Sequence, residues 1–282
     1  MNKMSNYMPP EHLRQMQLIQ LEMLLEVDRV CKKHNIKYCI IAGTLLGAVR
    51  HKGYIPWDDD ADVAMLRPEY EKFCKVCEKE LDTNRFYIQT HSNTPDYRWG
   101  YGKIRRKDTE FVRKGQEHMT YPTGVFIDVF PLDNVPDHLF LRRGHNLVCT
   151  VIRKMLWSGV GAKSDKKTSM RLIYGIFSII PVKFIFVLYE RLMRISNKKS
   201  TQLVRILTFP TPDNGYYGYY RRWYVELSDI EFEGHSFPAP KDYDDYLTFK
   251  FGDYHEFPPL HQRKVHVATY YKLLTVEKDI NL

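Results

Sequence analysis

Between Pro10 and His34 apolar residues fall at Leu13, Met16, Leu21, Leu24, Leu25 and Val30, with charged residues between them. That spacing predicts an amphipathic helix of several turns packed on a sheet. The period then changes. Lys37 to Ala42 (KYCIIA) is an unbroken run suited to a buried strand, Gly43-Thr44 to a tight turn, and Leu45 to His51 to a short helix. Asp60 to Leu66 reads as a second strand, and Pro68 opens a helix reaching about Leu81. Phe86 to His91, Gly102 to Arg106 and Gly124 to Val129 are further strands. This alternation predicts an α/β (α+β) fold, a mixed sheet flanked by helices.

The second half differs. Helical stretches from about Leu139 to Trp157 and Ser169 to Lys198 lead into an aromatic, proline-punctuated tail. The chain therefore divides into a core over 1–138 and a helical, aromatic-rich region over 139–282, packed together as one continuous domain. Its most apolar segment, LIYGIFSIIPVKFIFVLYE (172–190), is interrupted by Pro181 and Lys183, leaving pieces too short to span a bilayer. Two readings stay open: a kinked core element, or a patch lying on a lipid surface, flanked by Lys166, Lys167, Arg171, Arg191 and Arg194.

Composition narrows the partners. The 282 residues are 44% hydrophobic and 27% charged, as in ordinary folded proteins, and the formal charge of +8 favours anionic ligands. The basic residues are scattered and no RNA-binding motif occurs, so no nucleic-acid partner is expected. Five cysteines at irregular spacing do not form a secreted disulfide framework, and Cys74 and Cys77, a CxxC within a helical pattern, read as core thiols. With no apolar leader at the N-terminus, the expected location is cytoplasmic, with peripheral contact at the inner face of the membrane through 172–190 as the extension of that reading.

The stretch GYIPWDDDADVAM (53–65) concentrates Asp58, Asp59, Asp60 and Asp62 within five positions, where repulsion disfavours order. On a strand, Asp58, Asp60 and Asp62 share one face and Asp59 points away. Carboxylates at i and i+2 then offer oxygens to one hard divalent cation, which offsets their repulsion. Upstream, the backbone of Ala42-Gly43-Thr44 and the Thr44 hydroxyl suit a phosphate, with Arg50, His51 and Lys52 adding positive charge. Downstream, Asp128 sits in the apolar GVFIDV and requires a partner, which a neighbouring Asp60–Asp62 strand would supply. Asp133 reads as a turn or cap residue.

Taken in order, these pieces resemble the nucleotidyltransferase superfamily, and AGTLLGAVRHKGYIPWDDDADV resembles the LicD family, related to fukutin and fukutin-related protein. GYGKIRRKDT, FIDVFPLD, FEGHSFPAPKDYDDYL and FGDYHEFPP extend the resemblance from about Glu11 to Pro259. It implies a nucleotidyltransferase-like catalytic core and a metal-dependent transfer of phosphocholine, or another phospho-alcohol, from CDP-choline or another CDP-alcohol. The acceptor it implies is a glycan or lipid-linked glycan, of teichoic acid or lipopolysaccharide type, and CMP leaves. Asp60, Asp62 and Asp128 are then both catalytic and Mg²⁺ (or Mn²⁺) ligands, and Gly43, Thr44, Arg50 and Lys103 bind the nucleotide phosphates. No cysteine cluster suggests zinc.

For Lys103 and Arg105 a solvated strand face is the competing reading. GYYGYYRRWY (215–224) reads as packing or as a box for a quaternary ammonium. FGDYHEFPP, with His261 and Arg263, reads as a structural element or as a cover for the nucleotide. Two rival functions keep their place: a nucleotidyltransferase passing NMP to a small molecule or RNA with release of pyrophosphate, and a non-catalytic membrane-associated scaffold.

Overall fold

A computed structural model describes residues 8–165, 167–212, 215–259, 263 and 266–276. The first half runs α1 (Pro10–His34), β1 (Cys39–Ile40), α2 (Ala42–His51), β2 (Asp62–Leu66), α3 (Arg67–Glu80), β3 (Phe86–Gln89), β4 (Gly102–Arg106), β5 (Glu110–Arg113) and β6 (Phe126–Val135). The second runs α4 (Leu139–Ser164), α5 (Thr168–Ser178), α6 (Val182–Ser196), β7 (Leu203–Arg205), β8 (Tyr219–Tyr220), a short 3₁₀ turn, β9 (Leu227–Phe232), β10 (His235–Pro240), α7 (Tyr243–Phe251) and β11 (Ala268–Lys272).

The central sheet has the order β1-β2-β6-β4-β3, with β7 paired to β6 and β8 to β7. β2 and β6 are parallel, and the other pairs in this sheet are antiparallel, so the expected mixed sheet of an α+β fold is what the chain forms. All of β6 is buried, and it continues through Pro131 to Val135, beyond the expected end at Val129. Proline is tolerated because of where it falls. The Asp128 N–H donates to Ala61 O on the β2 side, so Pro131, an odd number of residues on, turns its missing N–H to the other side. There β4 pairs only with Phe126–Val129 and β7 only with Asp133–Val135, so no ladder bond is lost.

The main core extends from Met16 and Val27 of α1 through Val63 and Ile127 to Trp223, Phe232, Phe237 and Tyr246 near the other end of the chain. Tyr219, Trp223 and Tyr224 of the aromatic run 215–224 belong to it. Trp223 is fully buried, with its ring 5.5 Å from Tyr246 and 5.1 Å from Phe249, so this end of the segment serves packing. A second cluster joins Cys149, Ile152 and Leu156 of α4 to Ile185, Phe186 and Tyr189 of α6.

Pro181 divides the apolar segment as expected, and α5 and α6 meet at 91°. Among the described residues no single helix is long and apolar enough to cross a membrane; this bent pair passes that test only by combined length and composition. All five cysteines are free, and burial pushes the Cys74 thiol up to about 11. Lys166 and His261 lie outside the described residues.

Candidate active site

The acidic stretch is positioned by helix α1. Gln17 donates from Nε2 to Asp58 O at 3.0 Å, and Gln20 donates from Nε2 to Asp59 O at 2.9 Å and to Phe126 O at 3.3 Å. Both glutamines are buried, so their amides replace the ladder bonds this backbone lacks. The strand accordingly begins at Asp62 and not at Asp60, and the alternation of faces expected for Asp58 to Asp62 does not apply. Asp59 is buried and engaged: its carboxylate accepts from the His266 backbone N–H and pairs with His266 Nδ1, both at 2.9 Å.

Asp62 stands directly beside Asp128 in the parallel register of β2 and β6. Its own N–H donates to Thr44 Oγ1 at 2.8 Å, so the buried Thr44 hydroxyl serves the strand as an acceptor. Across β6, Lys103 is the register partner of Asp128, and its ammonium bonds the Asp128 carboxylate with the Phe126 ring 3.4 Å away. Both Lys103 and Arg105 are buried, which removes the solvated-face reading. Arg105 spends its guanidinium on Gln89 and Gly124 O.

These groups share a cleft of about 880 Å³ lined by Asp60, Asp62, Asp128, Lys103, Arg105, Arg113 and His266, with Trp99, Tyr101, Phe130, Trp157 and Phe209 on its walls. Tyr189 of α6 fixes one wall, donating from its hydroxyl to Gly100 O at 2.8 Å, between Trp99 and Tyr101. Arg113 approaches Asp60 at 3.7 Å, and its Nε and Nη2 find no hydrogen-bond acceptor among the described residues. A guanidinium with two uncommitted N–H groups on a cleft wall suits phosphate oxygens.

The carboxylates are held against their own charge. Burial, then Asp60 and Asp59, push the Asp58 carboxyl well above its ordinary value; burial, then Asp60 and Asp128, do the same to Asp62. Asp60 is also raised by burial, against the pull of Arg113 and His266. Burial brings the Lys103 amine down to about 7 although Asp128 opposes it. Such a cluster of oxygen donors, short of positive charge, fits a hard divalent cation. Asp60 lines the cleft together with Asp62 and Asp128, but among the described residues the acidic group whose ligand atoms lie within 4.8 Å of one another is Asp59, Asp60 and His266.

Gly43, Thr44 and Arg50 are not among the residues lining the cleft. Gly43 faces Asp58, whose Oδ2 stands 2.6 Å from where a β-carbon would be, so any side chain there displaces that carboxylate. The helix opens at Ala42, and the Tyr246 hydroxyl already accepts the Ala42 N–H at 3.2 Å. Arg50 lies over the Phe257 ring at 3.9 Å and donates to Tyr254 O, while Arg263 covers Trp57 at 4.0 Å, making the FGDYHEFPP segment a packed element against α2. Asp133 is neither turn nor cap: it is fully buried, bonded at 2.6 Å by two Arg67 nitrogens and by Asn197. Sequence reasoning missed Gln17, Gln20, Arg113 and His266. The two glutamines carried one signal, an uncharged polar pair flanked by apolar residues in MQLIQLEM.

Residues 35–141 match the family described as LicD/FKTN/FKRP, nucleotidyltransferase domain. Over 269 residues the chain is 28% identical to the lipopolysaccharide cholinephosphotransferase LicD of Haemophilus influenzae, covering 90% of this chain and 95% of that one. An uncharacterised protein of Rickettsia typhi is 42% identical over 55 residues, 20% of this chain and 18% of its own. Another, from Rickettsia prowazekii, is 46% identical over 48 residues, 17% of this chain and 18% of its own. The matched stretch contains β2, β4 and β6 with Asp60, Asp62, Lys103 and Asp128, so the similarity to the LicD family falls on the strands that carry the acidic cleft.

Proposed function

We propose that this protein transfers phosphocholine from CDP-choline to a hydroxyl of a cell-surface glycan precursor, releasing CMP. The observation that carries the reading is the juxtaposition of Asp60, Asp62 and Asp128 in one cleft with Lys103 and Arg113. The similarity to a lipopolysaccharide cholinephosphotransferase over 90% of the chain supports the transferred group. Asp60, Asp62 and Asp128 are the residues that would hold Mg²⁺ or Mn²⁺. When bound, such a cation neutralises the diphosphate and polarises the phosphorus under attack. Lys103 keeps Asp128 oriented, and Arg113 meets the diphosphate oxygens. The acceptor oxygen forms a bond to the phosphorus that carries choline, the bond from that phosphorus to CMP breaks in line, and the hydroxyl proton is released to solvent through the carboxylates of the cleft.

Thr44 acts through the position of Asp62, and Gln20 through the position of Asp59 and β6. Trp99 and Trp157, whose rings stand 5.5 Å apart, and Tyr101 beside them give the trimethylammonium group aromatic faces within the same cleft. The test is CMP release from CDP-choline by purified protein with Mg²⁺ and a lipopolysaccharide or teichoic acid precursor. Pyrophosphate release from a nucleoside triphosphate, with no CMP from CDP-choline, would give the site to nucleotidyl transfer instead. For Trp157→Ala we expect the kcat/KM ratio of CDP-choline to CDP-glycerol to fall about tenfold, because only the choline donor gains cation–π attraction. An unchanged ratio removes Trp157 from the choline subsite.

A further inference from the structure

The helical half presents more apolar surface than its packing consumes. Among the described residues, 15 of the 22 large apolar side chains that stand exposed lie between Leu139 and Ile195. On α6, Ile185, Phe186 and Tyr189 turn inward to α4, while Phe184, Val187, Leu188 and Ile195 recur at helical spacing on the outside. A surface helix ordinarily gives that outer face to polar residues. On α5, Leu172, Ile173 and Ile176 do the same, and Ile179, at the bend before α6, is 79% exposed.

Charge identifies the occupant. Residues 139–199 hold thirteen lysines and arginines against Asp165 and Glu190 alone, so with a whole-chain charge of +8 the remainder is net negative. Lys167, Arg171, Lys183, Arg191 and Arg194 are exposed around the apolar stripes, and Glu190 is paired with Arg194. A second copy of the chain docking here by the same face would set one basic rim against another. An anionic bilayer meets both the apolar and the basic side chains.

We propose that α5, the bend at Ile179–Pro181 and the outer face of α6 form a docking surface for an anionic lipid bilayer. The apolar side chains enter the headgroup boundary, and the lysines and arginines meet lipid phosphates. This does not depend on which group the cleft transfers. The test is co-sedimentation of the full chain with phosphatidylcholine vesicles and with vesicles of phosphatidylcholine mixed with phosphatidylglycerol. Binding is expected to the mixed vesicles, to weaken as salt is raised, and to be poor with phosphatidylcholine alone. The double variant Ile179→Glu, Phe184→Glu should bind about tenfold or more weakly. Both side chains stand in solvent, so its melting temperature should match that of the parent. Failure to bind mixed vesicles, or binding indifferent to the double variant, overturns the proposal. So does a dimer in sedimentation velocity that the same variant dissolves, because the face then belongs to a second copy.

Discussion

Asp62→Asn is expected to abolish transfer while making the metal-free protein more stable. The two effects have one origin. Asp62 begins β2 beside Asp128, and burial with repulsion from Asp60 and Asp128 raises its carboxyl well above the ordinary value of 3.8. Asparagine keeps the shape and removes the charge, so the fold loses a source of repulsion and a cation held as proposed would lose a ligand. A loss of activity of about 10³-fold or more is the scale expected when charge stabilisation of a phosphoryl transition state is removed. In chelator, the variant should melt above the parent. In Mg²⁺ that advantage should shrink or reverse, because the parent alone gains the full binding contribution.

The pH dependence follows with a definite sign. Because the folded carboxyl titrates above the unfolded one, the native state binds more protons between the two values. Stability of the chelated parent therefore falls as pH rises from near 3.8 to the raised folded value, and Asp62→Asn should flatten part of that fall. Thermal melts with and without chelator across acidic to neutral pH would check it. Full transfer by Asp62→Asn would remove Asp62 from the metal site.

Asp133→Asn should cost about 3–5 kcal/mol, the penalty for leaving a buried guanidinium without its counter-charge. Arg67 gives two nitrogens to Asp133 and a third bond to the Tyr189 hydroxyl at 3.0 Å, so removing the carboxylate strands a charge that α3, β6 and α6 enclose. In a chain of this size that corresponds to a drop on the order of 10 °C in Tm. Urea unfolding is the direct measurement. A change within 0.5 kcal/mol, the range of ordinary surface substitutions, would show that the pair contributes little. Because Asp133 does not line the acidic cleft, variant protein still folded at low temperature should retain its kcat.

Periodicity made α1, α3, β3 and β4 legible because each has enough residues to show its repeat, and the bounds of α1 follow from Pro10 and the left-handed Asn35 after His34. β7 and β8, of three and two residues, have too few positions to show any repeat. The placement of Asp128 beside Asp62 was legible because a lone carboxylate in an apolar strand needs a partner. His266 was not: its contact with Asp59 joins positions 207 residues apart, and nothing local to FGDYHEFPP or its successor predicts it. Gln17 and Gln20 were hidden by the helix pattern, which reads any polar residue as outward. Asp133 was misread because FPLD resembles the end of a strand, whereas the strand continues with a new partner after Pro131.

The Tyr189 bond to Gly100 O gives the cleft a fixed relation to α6. Its aromatic wall cannot shift far without carrying the helix, so the carboxylates stand at a set height above whatever α6 rests on. If that support is a bilayer and the acceptor glycan is anchored in it, a sugar is modified when its hydroxyl reaches that height. The protein then acts as a ruler, selecting a position along the glycan by distance from the anchor as well as by the chemistry of the sugar.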